Sequence, residues 1–298
     1  MNTKKAVCYG EILWDVFPDE ERIGGAPLNV ASRLSSFGIH TKMLSKIGKD
    51  ERGQKLLTYL KNNNVDTKHV SEDENLSTGI VQVSLSPSGS ASYEINYPSA
   101  WDKINISEEM KQSVKEADAF IFGSLVCRDE VSRKTLFQLL PEANFKVLDI
   151  NLRPPHYDEE VLLKLIQQAG FIKFNDDELF EIAAMLGSMY NSLEQNLDFI
   201  AGKTMASSIC VTKGNHGAVF LHEGDLYYNS GFKIKVKDTV GAGDSFLATL
   251  VAKILQGEKT QKALDFACAV GALVAGREGA NPKLSQEVIE NFIHPQES

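Results

Sequence analysis

Short runs of β-branched and aromatic residues alternate along this chain with longer stretches whose apolar positions recur at helical spacing. Residues 6–9, 43–47, 119–122, 146–150, 171–174, 209–212 and 218–221 each read as a strand bounded by polar or turn-forming residues. Between them, Val30, Leu34 and Phe37 fall at i, i+4 and i+7. Val131, Thr135 and Gln138 do the same, with Leu136, Leu139 and Leu140 beside them. Phe246, Leu247, Leu250, Val251 and Ile254 make a third apolar face. Alternation of this kind predicts a mainly parallel sheet covered by helices, because parallel strands need long crossover connections and helices supply them.

Two segments break the pattern. Ile12, Trp14 and Val16 recur at period two, and residues 79–97 read as a hairpin. In that hairpin, residues 80–83 and 93–95 flank a Pro87-Ser88-Gly89-Ser90 turn. Both pieces are expected to form a small β-lid beside the main sheet, with strands from about 11–23 and 78–100.

Composition narrows the partners. At 298 residues with 43% hydrophobic content the chain can bury a sizeable core. Its net charge of −9 offers no basic surface, which argues against nucleic acid and anionic membranes as partners. The first residues carry two lysines but no apolar run of signal-peptide length, and no apolar stretch reaches 18 residues, so a cytoplasmic location is expected. Cys8, Cys127, Cys210 and Cys268 are far apart and read as buried free thiols. The six histidines show no metal-ligand spacing.

The sharpest local signal is Asp238-Thr239-Val240-Gly241-Ala242-Gly243-Asp244, placed just before the apolar helical face that starts at Phe246. Gly-Ala-Gly permits a tight turn whose successive N–H groups point the same way. The helix behind it adds unpaired amides and the positive end of its dipole. Such a nest suits charge developing on a transferring phosphoryl group, and Asp244 could receive the proton of an attacking hydroxyl. Taken alone, the run also fits a helix N-cap in which Asp244 caps and the glycines merely turn. Two look-alikes fail. Ala201-Gly202-Lys203-Thr204 lacks the first P-loop glycine, since position 197 is Leu, and Phe246 fills the third glycine position of a dinucleotide fingerprint.

These residues make the chain recognisable. It resembles the PfkB (ribokinase-like) carbohydrate kinases, and within them looks most like the bacterial fructokinases. The D-T-x-G-A-G-D signature matches at every fixed position, and Gly24-Gly25-Ala26-Pro27-Leu28-Asn29-Val30-Ala31 matches the family's N-terminal signature. Gly10-Glu11, Asp15, Asp149 to Arg153, Asn175 with Glu178, and Thr212-Lys213-Gly214 with Gly217 agree in order along the chain. The resemblance implies one ribokinase-like domain over residues 1–298, a three-layer α/β/α sandwich with a small β-sheet lid.

It also implies roles. Asp244 is the catalytic base, with Gly241, Ala242 and Gly243 as the anion nest and Arg153 reaching the substrate or the transferred phosphate. Asp15, Gly24, Gly25 and Asn29 are sugar contacts, although Asn29 alone would also fit an N-cap. Trp101 could stack on a sugar face and Arg128 approach its hydroxyls; a packed aromatic and a solvated charge are the competing readings. Thr212, Gly214 and Gly217 lie along ATP, and Ala267, Cys268 and Gly271 form the adenine pocket, with base recognition largely steric. Asn175 and Glu178 orient Mg²⁺ through its waters. By analogy, Asp238 and the carbonyls of Val240, Val274, Arg277 and Gly279 would hold K⁺, with Lys283 standing where ribokinase-type members carry a hydroxyl.

The expected activity is therefore transfer of the γ-phosphate of ATP to a primary hydroxyl of a small sugar, D-fructose first. Kinases for 2-keto-3-deoxygluconate, ribose or a nucleoside compete with it. A catalytically silent sugar or nucleotide sensor is disfavoured by the intact Asp244, and an NAD-linked enzyme by the missing glycines. A homodimer formed through the lid is the expected assembly.

Overall fold

The computed structural model describes residues 3–85 and 91–295. The expected Pro87-Ser88-Gly89-Ser90 turn lies outside the described residues. The chain forms two compact units, Met1–Asn144 and Phe145–Ser298.

The first unit comprises β1 (Lys5–Tyr9), β2 (Leu13–Val16), β3 (Glu21–Gly24), α1 (Ala26–Ser36), β4 (His40–Gly48), α2 (Glu51–Asn62), β5 (Asp66–Asp73), β6 (Gly79–Leu85), β7 (Ala91–Ile95), α3 (Glu108–Lys115), β8 (Ala119–Gly123) and α4 (Glu130–Leu139). Its strands β8, β1, β4 and β5 pair in that order, all parallel, with Ala6 opposite both Ala119 and Thr41. β8 is buried along its whole length, as a strand covered on both faces must be. β5 was not expected. It is the last strand of that order, and only His69 and Val70 in it are buried, so it carries no apolar run.

The predicted lid segments form a separate four-stranded sheet in the order β3-β2-β6-β7. β2 is antiparallel to β3 and parallel to β6, and β6 is antiparallel to β7. Leu13, Val81, Val83 and Ile95 from this sheet pack with Trp101 and Leu125 in one buried cluster. Gly79 makes that packing possible, because a Cβ there would lie 2.4 Å from the Trp101 Nε1.

The second unit comprises β9 (Lys146–Asp149), α5 (Glu159–Gln168), β10 (Phe171–Asn175), α6 (Asp176–Met185), α7 (Leu193–Lys203), β11 (Ser208–Thr212), β12 (Ala218–His222), β13 (Asp225–Asn229), α8 (Ala242–Leu255), α9 (Thr260–Ala275) and α10 (Gln286–Ile293). β9, β10 and β11 are parallel; β12 and β13 add an antiparallel hairpin. Only β13 escaped the sequence pattern, and it too is a half-exposed outer strand. α8 is buried continuously from Ser245 to Ala252 and packs against α9. Gly271 brings the two close, since a Cβ there would already stand 3.4 Å from the Ala242 carbonyl oxygen. The four cysteines are free and buried, as expected. No helix among the described residues is long and apolar enough to cross a membrane.

Gly79→Ala is expected to destabilise the protein by about 1–3 kcal/mol, the usual cost of overpacking. Urea denaturation measures it; an unchanged midpoint would mean that the indole has room to move.

Candidate active site

The turn before α8 departs in part from the expected nest, because the Ala242 amide donates to the Thr239 carbonyl at 3.2 Å. Gly241 occupies the left-handed region at φ 73°, caps the helix and carries no side-chain cap bond. A Cβ on Gly241 would lie 2.5 Å from that of Ala280, so glycine is required both for the backbone angle and for the close approach. Helical bonding starts with the Ser245 amide donating to the Gly241 carbonyl at 2.8 Å. Asp244 is thus the third residue of α8, half-buried in its first turn, and the N-cap alternative for it is removed. Its carboxylate lies at the positive end of the helix.

Beneath this turn lies a group that the sequence reading passed over. Lys173, in the middle of β10, donates to Asp149 Oδ1 at 2.8 Å, with both side chains buried. An ideal Cβ on Gly243 would stand 3.6 Å from the lysine Nζ. Burial acts to lower the lysine's pKa, but the charges of Asp149, Glu178 and Asp244 outweigh it and raise the pKa above its ordinary value. The ammonium therefore stays charged. Breaking such a pair by removing one partner leaves an uncompensated buried charge, at a cost of about 3–5 kcal/mol. The second Asp149 oxygen, Oδ2, is buried without a hydrogen-bond partner.

Next to the nest opens a cavity of about 220 Å³. It brings together five of the expected nucleotide contacts: Thr212, Gly214, Gly217, Cys268 and Gly271, with Ala242 and Gly243 at the nest end. Burial pushes the Cys268 thiol up to about 12, so it presents a neutral, apolar surface. Ala267, by contrast, is fully buried and does not line the cavity. Phe232, Ile234 and Val236 complete an apolar wall that the sequence reading missed. Its signal was present in Lys233-Ile234-Lys235-Val236-Lys237, where apolar residues alternate with lysines. Gly217, at φ 76°, lets that segment approach, since a Cβ there would collide with the Asn229 carbonyl at 2.0 Å.

Asp238 ties the nest loop to the segment after α9. It accepts the amides of Val240 at 3.0 Å and of Gly279 at 3.2 Å. The Val274 carbonyl accepts the Arg277 amide at 2.9 Å, and the Arg277 guanidinium donates to the Lys283 carbonyl at 3.0 Å. The five residues expected around a monovalent cation thus lie in the loop before α8 and at or just after the end of α9, joined through one carboxylate.

Asn175 and Glu178 form a reciprocal capping box at the start of α6, each side chain accepting the other's amide at 2.8 Å. Glu178 also accepts the Leu152 amide at 2.9 Å, which fastens the loop after β9. No group of three or more His, Cys, Asp or Glu side chains is arranged to hold a metal ion among the described residues. With Glu178 committed to backbone amides, these residues fit a hydrated Mg²⁺ carried by phosphates and not an ion caged by protein. Arg153 follows on the exposed loop, its guanidinium donating to the Leu152 carbonyl at 2.9 Å.

In the first unit, Asp15, Gly24, Gly25 and Asn29 come together. A Cβ on Gly24 would lie 2.4 Å from Asp15 Oδ2, so glycine leaves the space that this carboxylate fills. Gly25, at φ 104°, is the N-cap of α1, and Asn29 donates its amide to the Gly25 carbonyl at 3.0 Å from within the helix. Asn29 is therefore a buried residue of the first turn and not a cap. Trp101 and Arg128 do not join this group. Trp101 has 0% exposure, and Arg128 stacks over its ring at 4.0 Å while forming a buried two-bond pair with Asp102. The stacking expected of Trp101 is corrected accordingly. Its indole is a core side chain, and the Arg128 charge is neutralised inside the fold.

A family model described as "pfkB family carbohydrate kinase" matches residues 3–287. The chain belongs to this family. It is 28% identical over 308 residues to a fructokinase of Zea mays, covering 93% of this chain and 90% of the relative. Among solved structures, a fructokinase double mutant from Vibrio cholerae O395 bound to fructose, ADP and potassium ion superposes with a TM-score of 0.85 at 21% identity, covering 98% of this chain and 99% of that one. The ATP-bound fructokinase from Xylella fastidiosa gives 0.86 at 22% identity, with 98% of each chain covered. The chain thus has the ribokinase-like α/β fold of the PfkB kinases.

Burial of Glu178 raises its pKa above the ordinary 4.5, with Lys173 opposing the rise. The folded state therefore holds this proton more tightly than the unfolded state. The resulting stability is present below pH 4.5 and lost as pH rises through the folded value. Glu178→Gln should remove that slope, so the variant should gain stability relative to the parent as pH rises from about 4 to about 8. Urea midpoints across this range test it, and parallel curves would contradict it.

Proposed function

We propose that this PfkB-family chain is an ATP-dependent sugar kinase that phosphorylates the primary hydroxyl of D-fructose, giving fructose 6-phosphate and ADP. One observation carries the reading: a helix-start nest with Asp244 in its first turn adjoins an apolar cavity lined by Thr212, Gly214, Cys268 and Gly271. A planar base suits the apolar wall, and its phosphates suit the helix amides. The fructokinase names of the maize relative and of the Vibrio and Xylella structures, the first bound to fructose and ADP and the second to ATP, support fructose and ATP as the substrates.

In the reaction, Asp15, Gly24, Gly25 and Asn29 hold the sugar, and Asp244 accepts the proton of its primary hydroxyl as the oxygen attacks the γ-phosphorus. The bond from that phosphorus to the β,γ-bridging oxygen breaks, and ADP departs. Because the transition state is loose, positioning and charge stabilisation do most of the work, and the amides of Gly241 and Gly243 receive the charge on the moving group, with that of Ala242 joining them if it leaves the Thr239 carbonyl. Arg153, on its exposed loop, is suited to closing over phosphate oxygens. Asn175 and Glu178 order the nearby backbone and would orient the waters of a nucleotide-borne Mg²⁺, which would supply charge neutralisation of the phosphates. A monovalent cation held by Asp238 and the carbonyls of Val240, Val274, Arg277 and Gly279 would stiffen the nest, in line with the potassium in the Vibrio structure.

Residues 1–298 act on this reading as one kinase domain in the cytoplasm, where reducing conditions suit four buried thiols. A homodimer formed through the lid follows from β7, the last strand of its sheet, which leaves Tyr93 62% exposed. Light scattering of the purified chain would show twice the 32.9 kDa monomer mass, and a lone monomer at micromolar concentration would exclude it.

Asp244→Asn is expected to lower kcat by roughly three orders of magnitude or more while leaving ATP affinity nearly unchanged, because the side chain acts in the transition state. Near-normal turnover would reject it as the base. Steady-state kinetics on fructose, ribose, 2-keto-3-deoxygluconate and a nucleoside should give fructose the highest kcat/KM, and preference for another acceptor would replace the sugar assignment alone.

A further inference from the structure

The buried ammonium under the nest has no part in the reaction as described, and its surroundings give it one. Lys173 Nζ is held by Asp149 Oδ1 at 2.8 Å and lies beneath Gly243, whose ideal Cβ would stand 3.6 Å from it. Its side chain is only 8% exposed. Three carboxylates on three different elements act on it: Asp149 at the end of β9, Glu178 in the first turn of α6 and Asp244 in the first turn of α8. Two of these are already fixed by other means, Asp149 by the ion pair itself and Glu178 by the amides of Asn175 and Leu152. Asp244 is the member of the set proposed above as the base.

We propose that Lys173 is a positioning residue for phosphoryl transfer: its ammonium, fixed by Asp149, holds the Asp244 carboxylate charged and aimed at the nest, and its part in holding the fold together is secondary. A charge in so dry a place acts on a neighbouring carboxylate far more strongly than one in water. A lysine that served packing alone would not need to lie under the first turn of α8.

The proposal rests on the kinase reading above, and the test separates the two. Lys173→Met leaves Asp149 buried and unpaired, so the decisive variant is the double substitution Asp149→Asn with Lys173→Met, which removes both charges together. On the full chain with fructose and MgATP, the double variant is expected to fold with a melting temperature close to that of the parent. Its KM values should stay within about threefold, while kcat falls roughly 10²-fold, the scale of losing one electrostatic element of a phosphoryl site. In an Asp244→Asn background the same pair should lower the residual kcat by less than about threefold, because the lysine acts through that carboxylate.

A double variant with kcat within about threefold of the parent would overturn the proposal. So would one that fails to fold, since the pair would then be architectural, and so would full additivity with Asp244→Asn. If the parent itself phosphorylates none of the tested acceptors, the kinase reading fails instead, and that outcome is distinct from an active enzyme indifferent to the lysine.

Discussion

A positive charge can be buried under the positive end of a helix only if carboxylates surround it, and this requirement organises the second unit. Lys173 lies under the start of α8, where the helix dipole already repels it. Asp149 answers by direct contact at 2.8 Å, while Glu178 and Asp244 act through their charge. Meeting that demand pins the end of β9, the end of β10, the first turn of α6 and the first turn of α8 to one point. The loop after β9, which carries Arg153, is tied in by the Leu152 amide on Glu178. A nest that must receive a phosphoryl group thereby stands on a rigid, charge-balanced base.

The same unit shows how small residues convert packing into a site. Gly271 lets α9 come within contact of the Ala242 carbonyl, and Gly217 lets the loop after β13 fold over the cavity. Gly241 turns the chain into α8 against Ala280. Side chains at these points would fill the space or push the walls apart. An apolar wall of Phe232, Ile234 and Val236 then offers shape and dispersion contacts to a flat ligand, with few polar atoms to discriminate between bases.

Much of this was legible in the chain. Buried parallel strands announce themselves as apolar runs, and the Asp238–Asp244 motif specifies its own geometry because only glycine tolerates the turn. What escaped did so for physical reasons. β5 and β13 are outer strands in which most residues are exposed or only half-buried, so neither carries a continuous apolar signal. Lys173 sits inside Phe-Ile-Lys-Phe, where a single lysine looks like a solvent-facing interruption until Asp149 is seen opposite. Trp101 reads alike in sequence whether it faces a ligand or the core, and the indole's place was decided by Gly79, distant in sequence, which makes room for it. Asn29 and Asp244 resemble caps in sequence, yet each helix is capped by a glycine earlier in the chain.

The central claim is that the Asp244 carboxylate serves chemistry and is not merely an ornament of a helix start. A crystal structure of the chain with fructose and a non-hydrolysable ATP analogue tests it most directly. The account requires a carboxylate oxygen of Asp244 within hydrogen-bonding reach, about 2.6–3.2 Å, of the sugar's primary hydroxyl, with the terminal phosphate in line beyond it. An Asp244 side chain turned away from both ligands in a fully occupied complex would contradict the account.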